Sequence, residues 1–141
     1  MTEDLKRRWL ILRAENADQK AVYRLRADRS ADDLAILASI EWEYSEQDEN
    51  GFPVPSLRES TDEFEATFDE ITQAELVLVT TGMGLKEWAL YTRNFDAFME
   101  EFNRLMRGKP RAPVNITCRA DPEWQYWWGV RKHAKPQGPA S

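Results

Sequence analysis

Cysteine and histidine are scarce in this chain, which has one of each, Cys118 and His133, among 141 residues. One cysteine cannot form an internal disulfide, as is typical of proteins of the reducing cytoplasm. One Cys and one His also cannot complete a Cys/His zinc site, and we predict neither a metal nor a cofactor. Because His133 lies in a basic tail, a catalytic Ser-His or Cys-His pair is not expected.

Long apolar runs are missing as well. No stretch of about 18 apolar residues occurs, so the sequence predicts no transmembrane helix and no membrane partner. Residues 1–6 are charged, unlike a secretory signal. The hydrophobic fraction of 42% is ordinary for a globular protein. We therefore expect a cytoplasmic protein with one α+β domain over residues 1–130 and a polar, disordered tail over 131–141.

Negative charge is concentrated in one part of the chain. Residues 31–75 carry one basic and 14 acidic groups, a net charge of −13, although the whole chain carries only −6. Such a block repels phosphate backbones, so nucleic acid is not expected as a direct partner. It would attract a basic protein surface. A solvated helix and loop that keep the protein soluble would explain the block without any partner.

Alternating apolar residues predict three strands in the first third of the chain. Residues 9–13 and 20–26 flank turn residues 16–19, which is typical of a β-hairpin. Residues 34–44 then alternate between a core face at the even positions and a second face that becomes acidic toward its end.

A helix is predicted to follow the loop over residues 46–55. Ser56 and Glu59 match a capping box at its start. Spacings of three and four then place apolar and acidic side chains on opposite faces. The predicted buried stripe comprises Leu57, Thr61, Phe64, Phe68 and Ile71, and the acidic face comprises Asp62, Glu63, Glu65, Asp69 and Glu70.

The second half of the sequence predicts strands around a second helix. Residues 76–79 are apolar on both faces, which indicates a strand covered on two sides. The turn at 82–84 joins it to a strand over 85–91. Asn94 is predicted to cap a helix that ends at Gly108. The predicted buried stripe of this helix comprises Phe95, Phe98, Phe102 and Leu105.

The chain ends in a short strand and an aromatic segment. Residues 114–118 read as the last strand. In the segment 121–128, Asp121 reads as a cap, with Pro122 as the first residue of a turn or short helix.

The order of elements from residue 34 to 119 is therefore β-α-β-β-α-β. This is the order of the ferredoxin-like fold, in which two helices cover one face of a four-stranded antiparallel sheet. In that fold the strand over 75–80 lies at an edge, yet it is too apolar for a bare edge. We expect the hairpin over 9–26 to cover an edge or to extend the sheet.

Three isolated signals have ordinary structural explanations. Cys118 lies on an alternating strand and is predicted to be a small core residue. Gly82 and Gly84 fit a hairpin turn, because a phosphate-binding loop would need a helix to follow it. Glu41 and Glu43 share one strand face, where a cation or acid-base chemistry is conceivable, but ordinary solvated acids explain them.

Tryptophan is abundant. Indoles are enriched at binding hot spots, and they also close small cores. Trp127 and Trp128 are adjacent and cannot easily face the same way, so we expect one of them to be exposed. The six tryptophans are Trp9, Trp42, Trp88, Trp124, Trp127 and Trp128.

Several short motifs resemble a bacterial family known as domain of unknown function six-nine-five. They are Asn50-Gly51-x-Pro53, Thr81-Gly82-x-Gly84-x-x-Glu87-Trp88, Tyr91 and Asp121-Pro122-x-Trp124. The resemblance runs over most of residues 9–128 and implies no activity and no catalytic residues. The family looks related in organisation to the regulator of ribonuclease E activity B family, acidic ferredoxin-like proteins that inhibit a nuclease by binding it. That second likeness is one of fold and charge.

The first functional hypothesis is that the protein is a non-enzymatic regulatory module that docks a basic protein, with a nuclease as one candidate partner. The acidic face of the first helix would steer the partner, and exposed tryptophans would anchor it. The predicted partner-binding residues are Asp62, Glu63, Glu65, Asp69, Glu70, Trp124, Trp127 and Trp128, with Trp88 as a further anchor.

The alternative is a small-ligand-binding protein or an unrecognised enzyme with a pocket between the 82–84 hairpin and the 121–128 segment. Glu87 would be its main polar group, beside Trp88 and Tyr91. A concave cavity that holds a buried acid would favour this hypothesis, whereas a flat exposed aromatic patch would favour docking. A third hypothesis is dimerisation through the apolar edge strand, and we expect a monomer or a weak dimer.

Overall fold

The computed structural model describes residues 9–16, 19–28, 33–49 and 51–136. They form an α+β fold built on a seven-stranded antiparallel sheet in the order β6-β3-β5-β4-β2-β1-β7. The elements are β1 (Trp9–Asn16), β2 (Gln19–Arg26), β3 (Ile36–Glu43), α1 (Pro55–Glu65), a 3₁₀ helix (Ala66–Glu70), β4 (Ala74–Gly82), β5 (Leu85–Thr92), α2 (Phe95–Met106), β6 (Asn115–Ala120), α3 (Gln125–His133) and β7 (Lys135–Pro136).

The predicted ferredoxin-like order is confirmed in the part of the sheet formed by β6, β3, β5 and β4. The β1–β2 hairpin extends this sheet, because β2 pairs with β4 along residues 78–82. Strand β4 therefore lies inside the sheet rather than at its edge, which explains why it is apolar on both faces. The middle of the predicted turn, residues 17 and 18, lies outside the described residues.

One face of the sheet packs against α1, the 3₁₀ helix and α2. Of the predicted even-numbered core positions, Ala38, Ile40, Trp42 and Tyr44 lie here, as do the aromatic stripes of both helices, whereas Leu34 packs on the opposite face. Edge-to-face and tilted ring contacts join Phe64 to Trp42, Trp88 and Phe102, with centroids 4.8–5.9 Å apart. This is the packing that the helical spacing of the sequence predicts.

The opposite face of the sheet packs against α3. Its core includes Leu25, Leu37, Tyr91, Trp124 and Trp127. Leu37 belongs to the odd positions of β3 and is only 3% exposed. The predicted acidic second face of that strand is therefore buried where α3 crosses it. The aromatic C-terminal segment is what covers this face.

The start of the first helix differs from the prediction. Val54 is the N-cap, Pro55 is the first helical residue, and no side chain caps the helix. The capping box at Ser56 and Glu59 is therefore wrong. Proline is well suited to this first position because its missing N–H would be unpaired there anyway. The cap predicted for α2 is confirmed, since the side chain of Asn94 accepts a hydrogen bond from the N–H of Ala97.

The C-terminal region differs from the sequence-based prediction more than the first helix does. Pro122 precedes α3, which starts only at Gln125, so Pro122 is not its first residue. Helix α3 continues through His133, and β7 pairs with β1. Residues 131–133 are therefore helix and residues 135–136 strand rather than disordered tail, and residues 137–141 lie outside the described residues. Cys118 was predicted to be buried but is exposed, because β6 is the outermost strand on its side of the sheet.

Candidate functional site

The predicted acidic face of the first helix is only partly free. Asp62, Glu63, Asp69 and Glu70 are exposed on α1 and the 3₁₀ helix. Glu65 is half-buried instead: it accepts a hydrogen bond from Trp88 Nε1 at 2.9 Å and forms an ion pair with Arg24. Its charge is used inside the fold, so its predicted role in steering a partner is wrong.

The predicted aromatic anchors are mostly core residues. Trp88 and Trp124 are fully buried and Trp127 is 1% exposed, so none of these three candidate anchors is available to a partner. Trp128 is 43% exposed, which confirms that one member of the adjacent pair faces solvent. It lies on α3, across the sheet from α1. The acidic face and the exposed indole therefore do not form one continuous surface.

The residues predicted for the alternative pocket are split between the two faces of the sheet. Successive side chains of β5 point to opposite faces. Trp88 packs with the α1 and α2 core, whereas Tyr91 packs with the α3 core. Glu87 points toward α3, where it contacts Tyr126. Trp88 therefore cannot share a pocket with Glu87.

Glu87 lies in a cavity of about 300 Å³ on the α3 face of the sheet. The cavity is bounded by β3, β5, β6 and the start of α3, not by the 82–84 hairpin that the sequence predicted. Its polar lining comprises Ser39, Glu41, Glu87, Thr117, Arg119 and Tyr126.

Glu87 is a buried carboxylate held by two hydroxyl groups. Only 7% of the residue is exposed. Ser39 Oγ donates a hydrogen bond to Glu87 Oε2 at 2.7 Å, and the Tyr126 hydroxyl donates to Glu87 Oε1. No described lysine or arginine forms an ion pair with Glu87. A negative charge buried with hydrogen bonds but without a cation is an unusual and costly arrangement.

The charge of Glu87 acts on two tyrosines. Burial, together with the neighbouring charge of Glu87, raises the pKa of Tyr126 far above its ordinary value. Burial and the same charge also raise the pKa of Tyr23. Both phenols therefore stay protonated at neutral pH, and the Tyr126 hydroxyl acts as a hydrogen-bond donor to Glu87.

A second carboxylate stands next to Glu87. Glu41 lies directly opposite Glu87 in the pairing of β3 with β5. Like charges at directly opposite positions of a sheet destabilise it. On the other side of Glu87, Thr80 is its partner on β4, and the buried Thr80 Oγ1 finds no hydrogen-bond partner among the described residues.

The mouth of the cavity carries a positive charge. The guanidinium of Arg119, on the edge strand β6, lies 5.5 Å from the centre of the Tyr126 ring. The distance fits a cation–π contact. The cavity therefore combines two carboxylates, three hydroxyl-bearing side chains and one cation, a set that suits a small polar molecule.

Tyr126 is held in place by Asp121. The Asp121 carboxylate accepts hydrogen bonds from the backbone N–H of Gln125 at 2.8 Å and of Tyr126 at 3.1 Å. It also accepts one from the hydroxyl of Tyr91 at 2.6 Å. Asp121 therefore holds the start of α3 through its side chain, but the N-cap residue is Trp124, so the predicted cap at Asp121 directly before Pro122 is wrong. Burial alone would raise the pKa of Asp121, yet these hydrogen bonds outweigh it and lower the pKa.

The indole of Trp124 completes the support of the site. Trp124 has a left-handed backbone conformation with φ of 55° at the start of α3. Its ring stacks on Tyr91 with centroids 4.2 Å apart, and its Nε1 donates to the carbonyl of Leu34 at 2.7 Å. This packing fixes the angle at which α3 crosses the sheet. Trp124 is thus a positioning residue rather than a binding residue.

Sequence reasoning found Glu87 and Tyr91 but missed Ser39, Arg119 and Tyr126. One signal was present: Ser39 interrupts the apolar pattern of β3 beside Glu41. No sequence signal linked these residues to Glu87, because Ser39 and Tyr126 are 48 and 39 positions away from it.

Within the described ranges, no three histidine, cysteine, aspartate or glutamate side chains come together as a metal centre would need. In the same part of the chain, no helix is both long and apolar enough to span a bilayer.

Comparison with known protein families shows which family the chain belongs to. Residues 7–129 match the model of the Family of unknown function (DUF695), and because this covers most of the sequence, the chain belongs to that family. No curated protein and no solved structure matches it. The likeness to the regulator of ribonuclease E activity B family stays a prediction.

Proposed function

We propose that this protein binds a small polar molecule carrying a positively charged amine or guanidinium group, in the cavity around Glu87. The observation that carries the proposal is the burial of the Glu87 carboxylate in a cavity without a paired cation. Arg119 lines the same cavity but forms no ion pair with Glu87, and a ligand cation would supply that pair.

The electrostatic argument rests on two carboxylates. Glu41 and Glu87 lie at directly opposite positions of β3 and β5, which places two like charges side by side. A cation that contacts both removes this repulsion and gains charge-assisted hydrogen bonds. The gain is larger than at an open surface, because water screens less inside a cavity.

The cavity also limits the size and shape of the ligand. Its volume of about 300 Å³ is at the small end of the range for ligand sites, about 300–1,000 Å³. Arg119 at the mouth suits an anionic group on the same molecule. Small amino acids and short amines therefore fit the chemistry better than nucleotides do.

Titration with small amines tests the proposal. Isothermal titration calorimetry would measure binding of L-arginine, L-lysine and putrescine, with uncharged glycerol as a negative control. We expect at least one amine to bind the wild type. In Glu87→Gln, which keeps the shape and removes the charge, its affinity should fall about tenfold or more, since a hydrogen bond to a charged group contributes about 1.5–3 kcal/mol.

The matched control is Glu100→Gln, which removes an exposed carboxylate from α2 on the other side of the sheet. It should bind like the wild type. The proposal is wrong if none of the amines binds at millimolar concentration, or if the Glu87→Gln and Glu100→Gln variants bind equally well.

Docking of a basic protein in the cytoplasm is the second proposal, supported by the exposed carboxylates of α1 and the 3₁₀ helix. Capture from a lysate at low and high salt would test it. A basic partner should be retained only at low salt, and the triple variant Asp62→Lys, Glu63→Lys, Glu70→Lys should lose it. Retention that charge reversal leaves unchanged would exclude this surface. A regulatory role and a nuclease partner belong to this proposal.

A further inference from the structure

A second cavity, of about 240 Å³, lies on the opposite face of the sheet from Glu87. It is enclosed by α1, the 3₁₀ helix, the end of α2 and the loop that leads to β6. The residues that define it are Trp42, Phe64, Thr67, Met106, Lys109 and Arg111.

The floor of this cavity is apolar and aromatic. Trp42 and Phe64 are 8% and 5% exposed, and their rings meet edge to face with centroids 5.8 Å apart. Met106 packs against the same core. A thioether beside two aromatic rings is a favourable surface for a flat apolar molecule.

A cation is held over this floor. Lys109 Nζ donates a hydrogen bond to Thr67 Oγ1 at 3.2 Å, and Thr67 is fully buried. The Thr67 hydroxyl in turn donates to Met106 Sδ at 3.6 Å. The ammonium of Lys109 therefore points inward, although the residue itself is exposed.

The charge of Lys109 is not neutralised by the described residues. Glu63 also lines the cavity, but no ion pair joins it to Lys109. An ammonium has three N–H donors, and Thr67 accepts only one of them. Two donors remain for a ligand, and Arg111 adds a second positive charge at the rim.

From this geometry we propose that the cavity binds a small aromatic carboxylate. The ring lies against Trp42 and Phe64, and the carboxylate accepts hydrogen bonds from Lys109 Nζ. Benzene fills an engineered protein cavity of about 150 Å³, so a cavity of 240 Å³ has room for a ring and its carboxylate. This site is independent of the one around Glu87.

Nuclear magnetic resonance with benzoate tests the proposal. The probe is the indole N–H signal of Trp42 in the ¹⁵N-labelled protein, identified by its loss in Trp42→Phe. Benzoate should shift this signal saturably. Benzamide has the same shape without the charge, and it should bind about tenfold more weakly. This comparison needs no variant, so it decides the role of charge even if a substitution impairs folding.

The variant Lys109→Met removes the charge and keeps the length of the side chain. It should weaken benzoate binding about tenfold and leave benzamide binding unchanged. The matched control is Lys132→Met, which removes an exposed charge from α3 and should change neither. The proposal is overturned if benzoate does not shift the Trp42 signal, if benzamide binds equally well, or if Lys109→Met binds benzoate like the wild type.

Discussion

Replacement of Asp121 by alanine should destabilise the fold strongly, because this buried carboxylate holds the start of α3. The side chain accepts three hydrogen bonds, two from the first N–H groups of α3 and one from Tyr91. Loss of a helix cap costs about 0.5–2 kcal/mol. The Tyr91 hydroxyl is left buried without its acceptor, which costs about 1–3 kcal/mol more.

We therefore expect Asp121→Ala to lower the free energy of unfolding by about 1.5–5 kcal/mol, a large part of the roughly 5–15 kcal/mol that folded domains have. Urea denaturation followed by tryptophan fluorescence would measure it, since Trp124 and Trp127 lie beside the site. The control is Asp96→Ala, which removes an exposed acid from the first turn of α2 and should cost less than about 1 kcal/mol.

A double-mutant cycle measures how much of this cost comes from the buried Tyr91 hydroxyl. In a Tyr91→Phe background no hydroxyl is left unpaired, so Asp121→Ala should cost only about 1–2 kcal/mol there. An equal cost in both backgrounds would refute the coupling of Asp121 to Tyr91. A loss below about 1 kcal/mol in the wild-type background would refute the capping role as well.

Three further predictions concern stability. The pKa of Asp121 is lowered in the folded state, so its carboxylate stabilises the fold only while it is ionised. The difference in unfolding free energy between the wild type and Asp121→Ala should be complete above about pH 5 and should shrink as the pH falls below about 4. A constant difference down to about pH 2 would contradict this. Gly82→Ala should lower the free energy of unfolding by well over about 1 kcal/mol in urea denaturation, because φ is 143° and a Cβ would strike the backbone of β2. Gly108→Ala should lower it clearly less, because φ is 81° and a Cβ there would meet open space. Equal costs would refute the steric argument. Trp127→Ala should cost about 3–5 kcal/mol and Trp128→Ala less than about 1 kcal/mol by thermal unfolding, and the reverse order would contradict the burial of Trp127.

The elements that the sequence predicted well are those set by local periodicity. The alternation in β3 and the spacing of Phe64 and Phe68 depend only on the geometry of a strand and a helix. The same holds for the turn at 82–84 and the Asn94 cap, which need special backbone angles or a side-chain acceptor within four residues.

Two wrong predictions, the start of α1 and the exposure of Glu65, concern positions where the local sequence allows more than one structure. Ser56 and Pro55 both mark a helix start, and the chain uses the proline. Glu65 belongs to the acidic stripe, but its position opposite Arg24 and Trp88 draws it into the core. Neither choice is encoded in the spacing alone, since both depend on where the helix packs.

The sequence by itself determined the order of strands and helices from β1 to β6, because backbone periodicity is a local property. Only the tertiary structure decided the site. The alternation of β5 sends Glu87 and Trp88 to opposite faces, and the docking of α3 brings Tyr126 onto Glu87 from 39 residues away. Among the described residues, Glu87, Glu101 and Asp121 are the buried acids, and Glu87 is the one of these three that lines the cavity, because burial is a property of packing at long range.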